Sequence, residues 1–146
     1  MRRISYLEQL YYCYFSKPES ERKLYQAAVQ AKFKNVVEIG ISSIERTCRF
    51  LKIAHRFSEE PIQYCGIDHF ESGVTGQKQF EIRFAHVELK KTGAGVKLIP
   101  GDLFSSLSRN SGQLLKADLL MIGRDVDEES LARSWFYLPE MLHKDS

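Results

Sequence analysis

Charged side chains recur at the ends of four apolar segments of this chain, which have the letters NVVEIG, IQYCGID, VKLIPGD and ADLLMIG. The charged residues near or just after the carboxyl ends of these segments are Glu38, Asp68, Asp102, Arg124 and Asp125. Carboxylates accept hydrogen bonds from hydroxyl and amine groups and offset positive charge. If the four segments are neighbouring strands of one parallel sheet, these residues meet at its carboxyl edge, where such sheets bind ligands.

The segments between the apolar runs have helical spacing, which predicts strands alternating with helices. One helix is predicted after each of the first three strands, and a final helix opens near Asp127. The apolar stripes of these helices include Ile44, Cys48, Leu51 and Ala54, then Phe80, Phe84 and Val87, then Leu131, Trp135, Leu138 and Leu142. We therefore predict an α/β, Rossmann-like parallel sheet of strand order 3-2-1-4, flanked by helices.

A helical N-terminal segment is predicted ahead of the first strand. Tyr6 to Phe15 form an aromatic-rich helix, Pro18 prevents its continuation, and Ser20 is placed to cap a second helix. We accordingly divide the chain into residues 1–34, the N-terminal helical segment, and residues 35–146, the Rossmann-like domain.

The turn after the first strand lacks most of the glycines of a dinucleotide fingerprint. That fingerprint, aligned on Gly40, requires glycine where Ser42 and Glu45 stand. A carboxylate at Glu45 would also compete with a pyrophosphate for the helix N-terminus, which disfavours NAD. The chain has no G-K-[ST] sequence, which excludes a P-loop.

The stretch VVEIGISSIERT resembles motif I of the class I S-adenosylmethionine-dependent methyltransferases, an apolar strand followed by acid-x-Gly-x-Gly-x-Gly. Glu38 and Gly40 match the acid and the first glycine, whereas Ser42 and Ile44 stand where the family has its other glycines. The resemblance continues in order through YCGIDHFE, LIPGD, ADLLMIGRD and SWFYLPEML, and so covers residues 35–146.

The resemblance implies that S-adenosylmethionine is the cofactor and that the protein transfers a methyl group to an acceptor that the sequence does not identify. Asp68 corresponds to the acid that holds the ribose hydroxyls, and Asp102 to the acid beside the adenine amino group. Glu38, Gly40 and Ser42 complete the predicted cofactor site. No catalytic residue is predicted, because methyl transfer depends mainly on positioning the acceptor.

Each predicted site residue also has a structural alternative. Glu38 would be an N-cap or form a structural hydrogen bond to the turn, Asp68 would cap the loop after its strand, and Asp102 would cap a helix. Ile44 is expected to fill space near the methionine arm, because a β-branched residue resists the backbone conformations open to glycine. The functional alternative is a degenerate, non-catalytic methyltransferase-like fold that acts as a binding or dimerisation module.

A general base and a metal site receive less support from the sequence. His69 is the one candidate base, and its alternative is a loop histidine that faces solvent. Some related methyltransferases bind a divalent metal through an acid after the fourth strand, but Gly123 occupies that position here. Asp125 and Asp127 are interpreted as helix caps, so no metal is predicted.

Composition and charge bear on which binding partners and which cellular compartment are expected for this protein. The 146 residues carry a formal net charge of +2 without a long basic run, which gives no strong indication of nucleic-acid binding. No apolar stretch is long enough to span a bilayer and no signal peptide is evident, so we expect a cytoplasmic protein. Of the three cysteines, Cys48 and Cys65 lie in apolar-periodic segments and are expected to be buried thiols.

The fourth strand is predicted to be an exposed edge. EMLHKDS stands where a fifth strand is expected, so the sheet is predicted to be truncated with DLLMIG at its border. An apolar edge without lysine or proline invites pairing with another strand. We expect a homodimer through this edge, with Trp135, Phe136 and Tyr137 adding contact area.

Overall fold

The computed structural model describes residues 4–70, 81–114 and 116–146, and in it the four apolar segments are strands. They are β1 (Asn35–Ile39), β2 (Gln63–Asp68), β3 (Gly95–Pro100) and β4 (Leu119–Ile122). All pair in parallel in the order β3-β2-β1-β4, which confirms the predicted α/β sheet and its strand order. Because β2 and β4 lie on opposite sides of β1, the direction of the chain connections reverses at β1, the switch point at which such sheets bind ligands.

Helices flank this sheet and precede it. They are α1 (Tyr6–Tyr14), α2 (Glu19–Gln30), α3 (Ile44–Phe57), α4 (Ile82–Lys90), α5 (Leu103–Asn110), α6 (Glu128–Ser134) and α7 (Leu138–Met141). Within the described ranges, none of these helices has the length and apolar character needed to cross a membrane.

The two faces of the sheet pack against different helices, because successive side chains of a strand point in opposite directions. Val36 belongs to an apolar cluster with residues of α2, α3 and α4, including Phe50. Val37 and Ile39 belong to a second cluster with residues of α5 and α7. Glu38 alternates with Val37 and Ile39, so its side chain is on the face that α3 covers.

The N-terminal helices are part of the first cluster. Ser5 caps α1 in a capping box with Glu8, and α2 begins at Glu19. The residue at the N-cap position of α2 is Pro18, so the prediction that Ser20 caps this helix was wrong. Tyr25 of α2 is completely buried in the same cluster as α3 residues, so these helices share a core with the sheet.

The buried side of α4 differs from the predicted stripe. Phe84 and Val87 are 52% and 54% exposed, whereas Ala85 and Leu89 are buried. Phe80 lies outside the described residues. Ala85 and Leu89 are four positions apart and share a face, and the small alanine lets α4 pack close to β3 and α3. The prediction of which face of this helix is buried was therefore wrong.

The predicted final helix is divided into two. Asp127 caps α6 as expected, accepting a hydrogen bond from Ser130 N at 2.8 Å. A 3-10 turn at Trp135–Tyr137 then separates α6 from α7, in which Pro139 has no N–H to continue the α-helical pattern. Leu138 is buried, but Trp135 is 61% exposed and does not belong to a buried stripe.

The cysteines are free thiols with different degrees of burial. Cys13 is buried, whereas Cys48 and Cys65 are only half-buried, which corrects the expectation for these two residues. Burial nevertheless raises the pKa of both Cys48 and Cys65 to about 11. Neither thiol is therefore activated as a thiolate nucleophile at neutral pH.

The last residues of the chain contact the two residues that precede β4. Ala117 N donates to Met141 O at 2.7 Å, Ala117 forms a parallel bridge with Leu142, and His143 Nε2 lies 2.9 Å from Asp118 Oδ1. β4 itself has one neighbouring strand, β1, within the described chain. The contacts at residues 117 and 118 thus end just before the strand begins.

Asp118 also forms hydrogen bonds with the start of β1. Its Oδ2 accepts hydrogen bonds from Lys34 N at 2.7 Å and from Asn35 N at 2.8 Å. These bonds fix the start of β1 beside the start of β4, and so align the carboxyl ends of the two strands.

Candidate functional site

A cavity of about 570 Å³ lies beyond the carboxyl ends of β1 and β2. Its walls come from the loops that follow all four strands, including Gly40, Asp68, Gly101 and Asp125. This is the edge at which the sequence placed its charged residues, and it adjoins the switch point between β1 and β4.

Gly40 forms the turn at the floor of this cavity. Its backbone φ is +72°, a value that residues other than glycine rarely adopt. Its N–H donates a hydrogen bond to Ile67 O at 2.8 Å. A Cβ at this position would lie 2.4 Å from Val126 Cγ2. A Cβ on Gly123 would lie 2.0 Å from Gly40 O. The loops after β1 and β4 can therefore touch only because both positions are glycine.

Asp68 lines the cavity from the end of β2. Its Oδ2 accepts a hydrogen bond from Ile41 N at 2.6 Å, and its Oδ1 accepts a longer one from Phe70 N at 3.4 Å. A carboxylate has about four lone-pair positions, so these two bonds orient Asp68 without using all its acceptor capacity. Asp68 is therefore compatible with both roles considered for it. It caps the loop, and it can still accept hydrogen bonds from a ligand.

Ser42 also lines the cavity, and its hydroxyl has no hydrogen-bond partner among the described residues although the oxygen is buried. The neighbouring Ser43 is the residue that caps α3, accepting from Arg46 N at 3.2 Å. Buried hydroxyls without partners are uncommon, because the lost hydration is not replaced. Ser42 is therefore a polar group in the glycine loop that no described residue satisfies.

Glu38 does not line the cavity, because its side chain is on the α3 face of β1 and is completely buried. Arg46 Nη2 donates to its Oε1 at 2.7 Å, and Thr47 Oγ1 and Tyr64 OH each donate to its Oε2 at 2.8 Å. Burial raises the pKa of Glu38, and the Arg46 charge and the three hydrogen bonds act against that rise. The carboxylate therefore ties the first turn of α3 to β1 and β2. This role is structural, but its partners are side chains of α3 and β2 and not the turn after β1.

Asp102 caps α5 beside the cavity. Ser105 N donates to Asp102 Oδ1 at 3.0 Å, and the hydrogen bonds from Ser105 lower the pKa of Asp102. Its neighbours Gly101 and Leu103 line the cavity, but Asp102 itself is not part of the wall. The structure therefore brings Gly40, Ser42 and Asp68 together and leaves Glu38 and Asp102 outside that group.

Ile44 is placed differently from the expectation. Its side chain is 5% exposed and packs in the apolar cluster under α3. Ile44 is the first residue of α3. Its side chain is directed toward the sheet and is not part of the cavity wall. The expectation that Ile44 fills space near a methionine arm was wrong.

The charged residues of the cavity wall are mainly acidic. Asp68, Asp125 and Asp127 line it together with His69, and no lysine or arginine of the described ranges does so. His69 is exposed, as its structural alternative stated. No group of three or more potential metal ligands occurs among the described residues. The wall is suited to hydroxyl or cationic groups and poorly suited to phosphates.

No family model matches this chain, and no curated protein is significantly similar to it. Its function is therefore inferred from the fold and from the residues of the cavity.

Val126 and the backbone of Ile41 were not among the site residues predicted from the sequence. Val126 follows β4 and packs its Cγ2 against Gly40, and Ile41 N is the donor that orients Asp68. A glycine directly after a predicted strand is a signal for close backbone approach, and Gly123 carries that signal. No pattern in the sequence indicates the hydrogen bond that the main-chain N–H of Ile41 donates to Asp68.

Proposed function

We propose that this protein binds S-adenosylmethionine in the cavity beyond β1 and β2 and is a methyltransferase for an acceptor that is not identified. The observation that carries the proposal is the position of an acidic cavity at the switch point, with aspartates and no lysine or arginine among its described lining residues. Its volume of about 570 Å³ is in the range of small-molecule sites.

The residues present fit this cofactor by charge and hydrogen-bonding type. Asp68, held by Ile41 N, would accept hydrogen bonds from the two ribose hydroxyls. Asp125 and Asp127 would offset the positive charge of the sulfonium and ammonium groups. The hydroxyl of Ser42, which has no partner among the described residues, would donate to the carboxylate of the methionine part.

When bound, the cofactor supplies an electrophilic methyl group. The contribution of the chain is to orient the cofactor and the acceptor and to keep water away from the reacting atoms. His69 is at the wall and is the candidate to accept a proton from an acceptor that loses one.

A second candidate function is a non-catalytic module with this fold. It is favoured by Val126, whose side chain packs against Gly40 where a ligand would otherwise approach the turn. A module of this kind would bind a nucleoside weakly or only mediate contacts between proteins.

Calorimetric titration with S-adenosylmethionine and S-adenosylhomocysteine tests the proposal. Asp68→Asn keeps an acceptor for Ile41 N but loses the charge, and we expect it to weaken binding by at least about 1 kcal/mol. Asp145→Asn is the matched control, because Asp145 is exposed in the C-terminal tail and does not line the cavity. The absence of heat with either ligand would rule out the cofactor.

A second measurement separates the enzyme from the module. The protein is incubated with methyl-labelled S-adenosylmethionine and a cell extract, and incorporation of label into extract components is compared with that of Asp68→Asn. Label incorporation that Asp68→Asn reduces supports the methyltransferase. Tight binding without incorporation in any fraction supports the module.

A further inference from the structure

A second cavity, of about 760 Å³, lies between the start of α1 and the end of α3. Three basic side chains of α3 line it, namely Lys52, His55 and Arg56. Their spacing of three and four positions places them on one face of the helix. Because α3 starts at the acidic cavity and is 14 residues long, this second cavity is about 20 Å away, at the opposite end of the sheet.

The described residues use little of the hydrogen-bonding capacity of these basic side chains. Lys52 forms no hydrogen bond or ion pair with the described residues. His55 Nδ1 is buried and has no partner among them. Arg56 donates one bond, from Nη1 to Ile4 O at 3.3 Å, and lies over the ring of Tyr6, which leaves further guanidinium donors available.

Two acidic residues also line this cavity, but both are paired with lysines outside it. Lys32 Nζ lies 2.7 Å from Glu59 Oε1, and Lys34 Nζ lies 3.1 Å from Glu60 Oε2. These four side chains compensate each other in charge. Lys52 and Arg56 therefore remain as an excess of positive charge in the cavity.

We propose that Lys52, His55 and Arg56 bind the phosphate group of a small phosphate monoester. A tetrahedral dianion matches two permanent positive charges and the N–H of an imidazole better than a monovalent carboxylate does. Glu59 and Glu60 also line the cavity, and their carboxylate oxygens can accept hydrogen bonds from hydroxyl or amine groups. The remainder of the ligand therefore carries hydroxyl or amine groups, as in a sugar phosphate.

The site is independent of the proposed methyl transfer, because it shares no lining residue with the acidic cavity. Its occupant contacts both α1 and α3, through Ile4, Ser5 and Tyr6 on one side and the basic residues on the other. Binding would accordingly hold the N-terminal helix against the rest of the fold.

The test is an NMR titration of ¹⁵N-labelled protein with inorganic phosphate and with ribose 5-phosphate, at ionic strength held constant with chloride. We expect amide shifts at residues 4–6 and 52–58, with a Kd on the order of 1 mM for inorganic phosphate and a lower one for ribose 5-phosphate. Lys52→Ala is expected to weaken both by at least about tenfold, and Lys52→Arg to retain binding.

Lys23→Ala is the matched control, since Lys23 is an exposed lysine of α2 that does not line the cavity. Equal affinities for Lys52→Ala and Lys23→Ala, or shifts spread over unrelated lysines, would overturn the site. If Lys52→Ala alters the spectrum of the free protein, Lys52→Gln replaces it. Equal affinity for ribose 5-phosphate and inorganic phosphate would overturn the assignment of a larger monoester.

Discussion

The hydroxyl of Tyr64 donates a 2.8 Å hydrogen bond to Glu38 Oε2 in the interior of the protein, between β1 and β2. Both side chains are completely or almost completely buried. With the bonds from Arg46 and Thr47, this contact gives the buried carboxylate three donors. Glu38 therefore links two neighbouring strands to the helix whose preceding loop forms the floor of the acidic cavity.

Removing this carboxylate should strongly destabilise the fold. Glu38→Ala leaves Arg46 and two hydroxyl groups without their partner, and we expect the free energy of unfolding to fall by about 3 kcal/mol or more. Glu38→Gln retains the shape and one acceptor and should cost less. Urea denaturation followed by circular dichroism measures both.

The matched control for this prediction is Glu45→Ala. Glu45 is also on α3, but it is exposed and its contact with Arg49 is 3.4 Å long. We expect a change of no more than about 0.5 kcal/mol. Similar losses for the two alanine variants would contradict the role assigned to the buried network.

Buried tyrosines should make the protein lose stability at alkaline pH. Burial raises the pKa of Tyr25 from 10.0 to about 12, with a further contribution from its hydrogen bond to Glu21. The unfolded chain releases this proton near pH 10 while the folded protein retains it. Stability from this group is therefore complete below pH 10 and decreases as pH rises from 10 to about 12.

Tyr25→Phe removes this titration, so the variant should lose less stability than the wild type between pH 10 and about 12. Thermal melting at a series of pH values measures the difference. Tyr11→Phe is the control, because Tyr11 is 54% exposed. Parallel pH profiles for the wild type and Tyr25→Phe would show that this hydroxyl titrates alike in the folded and unfolded chains.

The contact between the loops after β1 and β4 should not tolerate a methyl group. In Gly123→Ala the new Cβ would lie 2.0 Å from Gly40 O. Gly40 O is a backbone atom, so the clash cannot be relieved by a change of side-chain rotamer. We expect a loss of about 2 kcal/mol or more in unfolding free energy and weaker ligand binding, because the cavity floor must shift. Chemical denaturation and calorimetry measure the two effects.

Gly112→Ala is the matched control, since no atom of the described residues beyond its chain neighbours lies within 4 Å of a Cβ at that position. This variant should keep the stability and the ligand affinity of the wild type. If Gly123→Ala behaves in the same way, the two loops do not have the tight contact described above.

The edge of β4 should mediate self-association. Leu119–Ile122 has β1 on one side and no strand of the described chain on the other, and Ile122 is 42% exposed. Two copies can pair such edges in antiparallel fashion about a two-fold axis. We expect sedimentation equilibrium at micromolar concentration to give a dimer, and Ile122→Lys to give a monomer. A wild-type monomer at 16.9 kDa would contradict the prediction.

The sequence was sufficient to predict the order of the strands and the edge at which the cavity lies. Short apolar runs alternating with helical segments specify a parallel sheet, and charged residues at the strand ends mark its carboxyl edge. This is why Asp68 and Gly40 were correctly placed together.

The direction of Glu38 could not be predicted in the same way. A strand covered by helices on both faces is apolar throughout, so its pattern does not indicate which helix each side chain meets. The donors that hold Glu38 come from Tyr64 on another strand and from Arg46 and Thr47 on α3, a convergence that only the tertiary structure creates. The same limit applies to α4, in which two apolar stripes compete and the one with the small Ala85 is buried.

The bonds from Lys34 N and Asn35 N to Asp118 imply an order in which the sheet assembles. They join residues 84 and 83 positions apart, whereas Glu38 and Tyr64 are 26 positions apart. Closing the longer loop costs about 1 kcal/mol more in chain entropy, so β1, α3 and β2 can associate before β4 is in place. The acidic cavity, whose wall includes the loop after β4, is complete only once β4 has joined the sheet.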